Sequence, residues 1–301
     1  MNAVFSNPGM DDATRRQYLY QGQLVICPAN PATLALVAHA QTMIVDAFGA
    51  IDPQTAQHDL PVEDFVAVLA ELKPRFIHHP RSKELIRALL GEFGCDLDQT
   101  YFDVPRLRTS TSDGYLTSGI SYAFHPHRDT WYSAPFCQIN WWIPIFAVLP
   151  ENVMAFHTRY WNQPVRNSSR RYDYYEWNRT SRKTAAQHIK SDTRDQPKPE
   201  ELIELDPQIR IVPEPGGVLL FSGNQLHSTV PNTSGRTRFS IDFRTVNLQD
   251  ILARREASNV DSECTGTTLR DFLRATDLAR IPEDVAADYE RCARSRLRTL
   301  A

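Results

Sequence analysis

The sequence predicts a mainly β domain of jelly-roll or related barrel type with flanking helices, and two observations predict it. Six short runs rich in β-branched and aromatic residues crowd into the stretch from about 115 to 248, punctuated by Pro, Gly and Asn. Helical patterns, with apolar residues three and four apart, lie before and after that stretch. A chain of 301 residues is long enough for one enlarged domain or two smaller ones. The single band of strands favours one domain, with residues 1–114 as an N-terminal helical flank, 115–248 as the core and 249–301 as a helical C-terminal segment.

The first helical signal is Asn30, a good capping residue, followed by Pro31, which suits a first turn, and by ATLALVAHAQTMIVDAF running to Gly49. VEDFVAVLAEL is predicted as a second helix stopping before Pro74, and SKELIRALLGEF as a third stopping at Gly94. His78 and His79, just ahead of Pro80, read as local structure at a helix start. The strand candidates are YLTSGISYAF, QINWWIPIFAV, NVMAFHTRY, QIRIVPE, GVLLFSG and RTRFSIDFRTV. Alternation in the last puts Arg236, Arg238, Ser240, Asp242 and Arg244 on one face and Thr237, Phe239, Ile241 and Phe243 on the other. With helices against the apolar face, the polar face points into the barrel, where a site belongs.

Residues 161–205 interrupt the strands. This stretch is polar, basic-leaning and aromatic, with Arg170, Arg171, Tyr172, Tyr174, Tyr175 and Trp177, and reads either as a lid or as a solvated loop. Helical signals resume in LQDILARREA, TLRDFLRATDLA and PEDVAADYERCARSRL.

Composition narrows the function classes. Hydrophobic residues make up 42% and charged residues 23%, as in an ordinary globular protein, and no apolar run approaches the roughly 20 residues of a membrane span. The first twenty residues lack a basic region followed by an apolar one, so a cytoplasmic location is the expectation. The five cysteines are scattered, without a CxxC pair, which argues against a disulfide framework or a thiolate zinc site. A net charge of -3 provides no basic footprint for nucleic acid.

Three features carry chemistry. In FHPHRDTW, His127 and Asp129 would project from one strand face while Arg128 points away. His227 follows the Gly-punctuated strand of PGGVLLFSGNQLHSTVPN. Two imidazoles and a carboxylate can occupy one face of an octahedral Fe(II) and leave positions for a bidentate co-substrate and dioxygen, whereas zinc favours a tetrahedral site. Arg238 and Ser240, on one face of the last strand, suit a carboxylate through a charge-assisted contact; Arg236 has the same parity but sits nearer the turn. Gln138, Asn140 and Trp142 share a face of QINWWIPIFAV; Asn140 could reach a co-substrate or belong to the core. His125 has the parity of His127 and is read as a substrate or outer-shell group. Trp131 and Tyr132 are candidates for the pocket wall, Trp131 and Trp142 for contact with substrate, and Arg244 and Asp242 either meet substrate near the mouth or pair with each other in the barrel.

HPHRD followed by PGGVLLFSGNQLHSTVPNTSGRTRFS resembles the H-x-D…H…R-x-S pattern of the Fe(II)/2-oxoglutarate oxygenase superfamily, and within it the phytanoyl-CoA hydroxylase-like branch. The resemblance covers about residues 115–248. It implies a cupin-like double-stranded β-helix with His127, Asp129 and His227 on Fe(II), and Arg238 and Ser240 on 2-oxoglutarate, to which the strand-face reading adds Asn140. It also implies O2-dependent hydroxylation of a small molecule, with release of succinate and CO2; the basic, aromatic 161–205 stretch suits a polar or anionic one. Halogenases of the superfamily carry a small residue in place of the carboxylate, so Asp129 points to hydroxylation. Two alternatives remain at this level: a zinc or manganese isomerase or hydrolase with the same ligands, and a non-catalytic small-molecule binding relative.

Overall fold

Asn30 and Thr33 start the first long helix reciprocally. The Asn30 side chain accepts from the Thr33 amide and the Thr33 hydroxyl accepts from the Asn30 amide, with Pro31 in the first turn. In the computed structural model, which describes residues 4–6, 9–117, 125–180 and 194–300 with side chains through Cys292, this helix follows three short elements. These are β1 (Val4–Ser6), α1 (Asp12–Tyr20) and β2 (Leu24–Cys27), and the helix itself is α2 (Pro31–Phe48). Gly49, at φ +62°, ends it in a conformation that a side chain would strain.

The next helix, α3 (Val62–His78), runs through Pro74 instead of stopping before it. A proline inside a helix costs about 3 kcal/mol. Burial of Leu69, Leu72 and Phe76 in the core, each worth roughly 1.5–3 kcal/mol, outweighs that cost and carries the helix on. His79 then caps α4 (Pro80–Glu92), its ring Nδ1 accepting from the Arg81 amide.

The stretch before residue 115 is more than a helical flank, because β3 (Thr100–Phe102) and β4 (Arg106–Ser110) follow α4. Three to five residues are too few for alternation to register in a sequence. Of the candidate strand at 115–124, residues 118–124 lie outside the described residues and 115–117 are not strand. Then come β5 (Ile139–Pro144), β6 (Met154–Phe156), α5 (Tyr174–Thr180), β7 (Ile209–Arg210), β8 (Val218–Ser222), β9 (His227–Thr229) and β10 (Arg238–Asn247). The chain closes with α6 (Leu248–Ala253), β11 (Leu273–Arg274) and α7 (Glu283–Leu300). TLRDFLRATDLA is therefore a 3-10 turn, Thr268–Asp271, and a strand, where helix was expected. Pairing of Leu273 with Phe102 at the sheet edge and burial of Leu269 and Phe272 decide its conformation.

Among the described residues the strands form a mixed eight-stranded sheet, ordered β1-β2-β8-β5-β10-β3-β11 with β4 also on β10, and a three-stranded sheet, β7-β6-β9. Among the described residues the strand pairing of the main sheet is open. Phe239, Ile241 and Phe243 of β10 pack with Leu36, Ile44, Phe65 and Leu89 of the helices, so the helices cover one face of the main sheet. On its other face Trp142, Leu219 and Phe221 meet Phe156 of the small sheet. The chain crosses from the large sheet to the small one between β5 and β6 and again between β8 and β9. Polar side chains of β5, β9 and β10 converge in the space between the sheets.

Candidate metal centre

His127 and His227 face each other directly. Each backbone amide donates to the other's carbonyl, at 2.9 and 3.0 Å, which sets the ring centroids 4.3 Å apart. Asp129 opens a 3-10 turn, Asp129–Tyr132, so strand parity is not what places it. The turn instead brings its Oδ1 to 3.6 Å from His127 Nε2. One ligand atom from each of the three lies within 4.8 Å of the others, a group that can hold a metal ion.

The backbone orients both rings. His127 Nδ1 donates to the carbonyl of His125 at 2.8 Å and His227 Nδ1 to that of Gln225 at 2.9 Å. A carbonyl only accepts, so each Nδ1 carries the proton and each Nε2 keeps its lone pair, the tautomer that metal ligation needs. Burial works to raise the Asp129 carboxyl, but the adjacent His127 and the charge of Arg244 outweigh it and hold the group ionised, below the usual carboxylate range.

Burial, then the neighbouring His127, pushes His227 down to about 3 and His125 down to about 4. The unfolded chain, with imidazoles near 6.5, takes up protons there that the folded chain refuses. Stability of the metal-free protein therefore rises with pH and is lost as pH falls below about 6.5. By pH 5, about 1.5 pH units lower, each imidazole costs ~2 kcal/mol. Urea midpoints of chelator-treated protein at pH 7 and pH 5 measure this; equal midpoints would mean that these rings are not held neutral.

A cavity of about 340 Å³ opens beside the three ligands. At one end Arg238 lies 5.7 Å from the Trp142 ring and donates from Nη1 to the Asn152 carbonyl at 3.0 Å. Its Nε and the hydroxyl of Ser240 are buried and have no hydrogen-bond partner among the described residues. Burial pulls Arg238 down to about 10, with Asp242 acting the other way. Ser240 shares the β10 face of Arg238 but is fully buried and does not form the cavity wall. Arg236 is exposed.

The other expected pocket residues divide. Trp142, Tyr132, Asp242 and Arg244 line the cavity, and Arg244 is held by Asp103 at 3.2 Å and Asp242 at 3.9 Å. Asn140 and Gln138 also line it, but their amides are turned onto Asp129 Oδ2, at 2.7 and 2.9 Å. His125 does not line the wall; its Nε2 donates to the Pro197 carbonyl at 2.7 Å. Trp131 is fully buried away from it, donating to Asp261 at 2.7 Å, because Asp261 is also the counter-ion of the buried Arg128. That cluster pins the turn carrying Asp129.

Some wall residues escaped the sequence reading. Arg106 and Arg108 arrive beside β10 through β4 pairing, Asp103 through hydrogen bonds with the Arg244 backbone, and Thr268, Asp271 and Phe272 come from the C-terminal segment. The alternation in RLRTS was the only available signal, and it is one strand too short to stand out. From the 161–205 stretch, Tyr172, Tyr174 and Trp177 line the cavity, Tyr172 packing between Tyr132 and Trp177 at 5.5 and 5.8 Å. No helix is long and apolar enough to cross a membrane among the described residues.

No protein-family model matches the sequence, and no curated protein does. Among solved structures, the chain is similar to EvdO2 from Micromonospora carbonacea var. aurantiaca complexed with 2-oxoglutarate, with 12% identity, coverage of 82% of this chain and 94% of that chain, and TM-score 0.43. It is also similar to the non-heme alpha ketoglutarate dependent epimerase SnoN from nogalamycin biosynthesis, with 13% identity, 77% and 81% coverage, and TM-score 0.37. A third is the non-heme monooxygenase ThoJ in its apo form, at 12% identity, 89% and 88% coverage, and TM-score 0.37. Likenesses this distant leave function to be argued from the site residues.

Proposed function

We propose that this chain is an Fe(II)- and 2-oxoglutarate-dependent dioxygenase that hydroxylates a small molecule, and that it is a double-stranded β-helix protein of the phytanoyl-CoA hydroxylase-like branch. One observation carries the reading: a His-Asp-His group and a buried guanidinium whose Nε has no hydrogen-bond partner among the described residues line the same cavity. Two neutral imidazoles and one carboxylate, with no thiolate among them, suit Fe(II) with open positions. Iron, 2-oxoglutarate and dioxygen together supply oxidation of an unactivated C–H bond, with succinate and CO2 as co-products.

The chain supplies position and dryness. His127, Asp129 and His227 hold the metal. Arg238, with Ser240 behind it, receives the far carboxylate of the co-substrate, where a buried cation with no carboxylate contact among the described residues has most to gain from one. Asn140, read as a co-substrate contact, lines the cavity and gives one hydrogen of its amide to Asp129 Oδ2. The aromatic wall of Tyr132, Tyr172 and Trp177 receives the substrate, and the part of 161–205 that bears it acts as a lid excluding water.

The test is anaerobic loading with Fe(II) and 2-oxoglutarate, admission of O2, and measurement of succinate. The expected result is oxygen-dependent succinate that rises further with the true substrate. Metal-dependent turnover without oxygen or 2-oxoglutarate would point instead to an isomerase or hydrolase.

A further inference from the structure

Asp129 is a carboxylate with two oxygens in unlike surroundings. Oδ1 faces His127, while Oδ2 accepts from Gln138 Nε2 at 2.9 Å and Asn140 Nδ2 at 2.7 Å, with Arg244 Nε at 4.0 Å. Gln138 Nε2 also donates to Asn140 Oδ1 at 2.9 Å, so each amide fixes the other's orientation. Both side chains are buried, and Gly223 closes over them: a Cβ there would stand 3.1 Å from Gln138 Nε2 and 3.5 Å from Asp129 Cβ. The backbone repeats the clamp, since the Gly223 amide donates to the Gln138 carbonyl and the Gly223 carbonyl accepts from the Thr130 amide.

From this geometry we infer that Gln138 and Asn140 form a preorganised carboxylate cradle that reserves Asp129 Oδ2 and presents Oδ1 alone to the metal. The inference rests on the metal-centre reading above. A carboxylate oxygen that already accepts two amide hydrogens and faces a guanidinium is a poor second metal ligand. The cradle therefore makes Asp129 monodentate and keeps a coordination position open. Gln138 and Asn140 act here as positioning residues, through Asp129. A purely structural pair would leave metal affinity alone, because the same buried volume can be filled without donors.

The test is anaerobic Co(II) titration of the full chain, followed by visible absorption and by the thermal shift that Co(II) produces. Gln138→Met and Asn140→Leu keep volume and remove the donors. Each is expected to weaken Co(II) affinity about 10- to 100-fold, the usual cost of losing an outer-shell partner, and to change the Co(II) spectrum. A second arm uses Asp129→Gly, in which added formate should fill the emptied cradle and restore Co(II) binding; adding Gln138→Met to that variant should abolish the rescue. Affinity and spectrum unchanged in both single variants, or no formate rescue, would overturn the cradle while leaving the metal centre standing. Failure of the unaltered protein to bind Co(II) would overturn the metal centre itself and the cradle with it.

Discussion

Asp129→Ala is expected to abolish Fe(II)-dependent succinate formation and to lower metal affinity by more than the about 100-fold upper range of outer-shell changes. The effect is large because the residue supplies one of three ligands and the only anionic one, so the remaining imidazoles would hold a dication with no charge neutralisation from the ligand set. Gln138 and Asn140 would lose a charged acceptor in a buried site, which costs about 1–3 kcal/mol for each donor left without a partner. The variant should therefore also unfold at lower urea when metal is absent. Equilibrium titration with Co(II) or Mn(II), beside the succinate assay, measures the first part. Metal affinity within a few-fold of the unaltered protein would remove Asp129 from the ligand set.

Arg238→Ala should chiefly weaken the co-substrate. The guanidinium is buried, donates to a backbone carbonyl and lies over the Trp142 ring, and its Nε has no hydrogen-bond partner among the described residues. Truncating one partner of a buried, hydrogen-bonded charge pair costs about 2–5 kcal/mol, roughly 30- to several thousand-fold in affinity. The expected result is an apparent 2-oxoglutarate affinity lower by at least about 100-fold, with metal affinity little changed because Arg238 is not among the three ligands. Arg238→Lys should recover little, since a point charge on a flexible stem does not reproduce a planar fork. Guanidinium added to the alanine variant should recover more. An unchanged 2-oxoglutarate affinity would show that the co-substrate is anchored elsewhere, with Arg108 on the same cavity the next candidate.

The two effects separate cleanly because they fall on different steps. Loss of Asp129 removes metal binding and everything after it, whereas loss of Arg238 leaves the metal and raises the co-substrate concentration needed. A chain that only stored a ligand would show neither pattern in turnover.

Much of this was legible in the chain itself. The β10 alternation, Arg238 against Phe239, needs only the two-residue period of a strand, and the helices of 31–48 and 80–92 announce themselves through Asn30, Pro31 and Pro80. The chemistry of two imidazoles and a carboxylate is likewise a property of residue type and order. What the sequence by itself determined was therefore which side chains could act and which face of β10 they share.

Tertiary structure alone decided how they are used. It took His125 and Trp131 off the cavity wall by giving them Pro197 and Asp261 as partners, and it carried α3 through Pro74 by burying Phe76. It brought Arg106 and Arg108 to the site through pairing of β4 with β10, and turned Asn140 onto Asp129. Each of these depends on contacts between residues far apart in the chain, whose energies come from burial and hydrogen bonds that exist only once the sheets are assembled. Local periodicity reports the face of a strand; which partner meets that face is settled by packing.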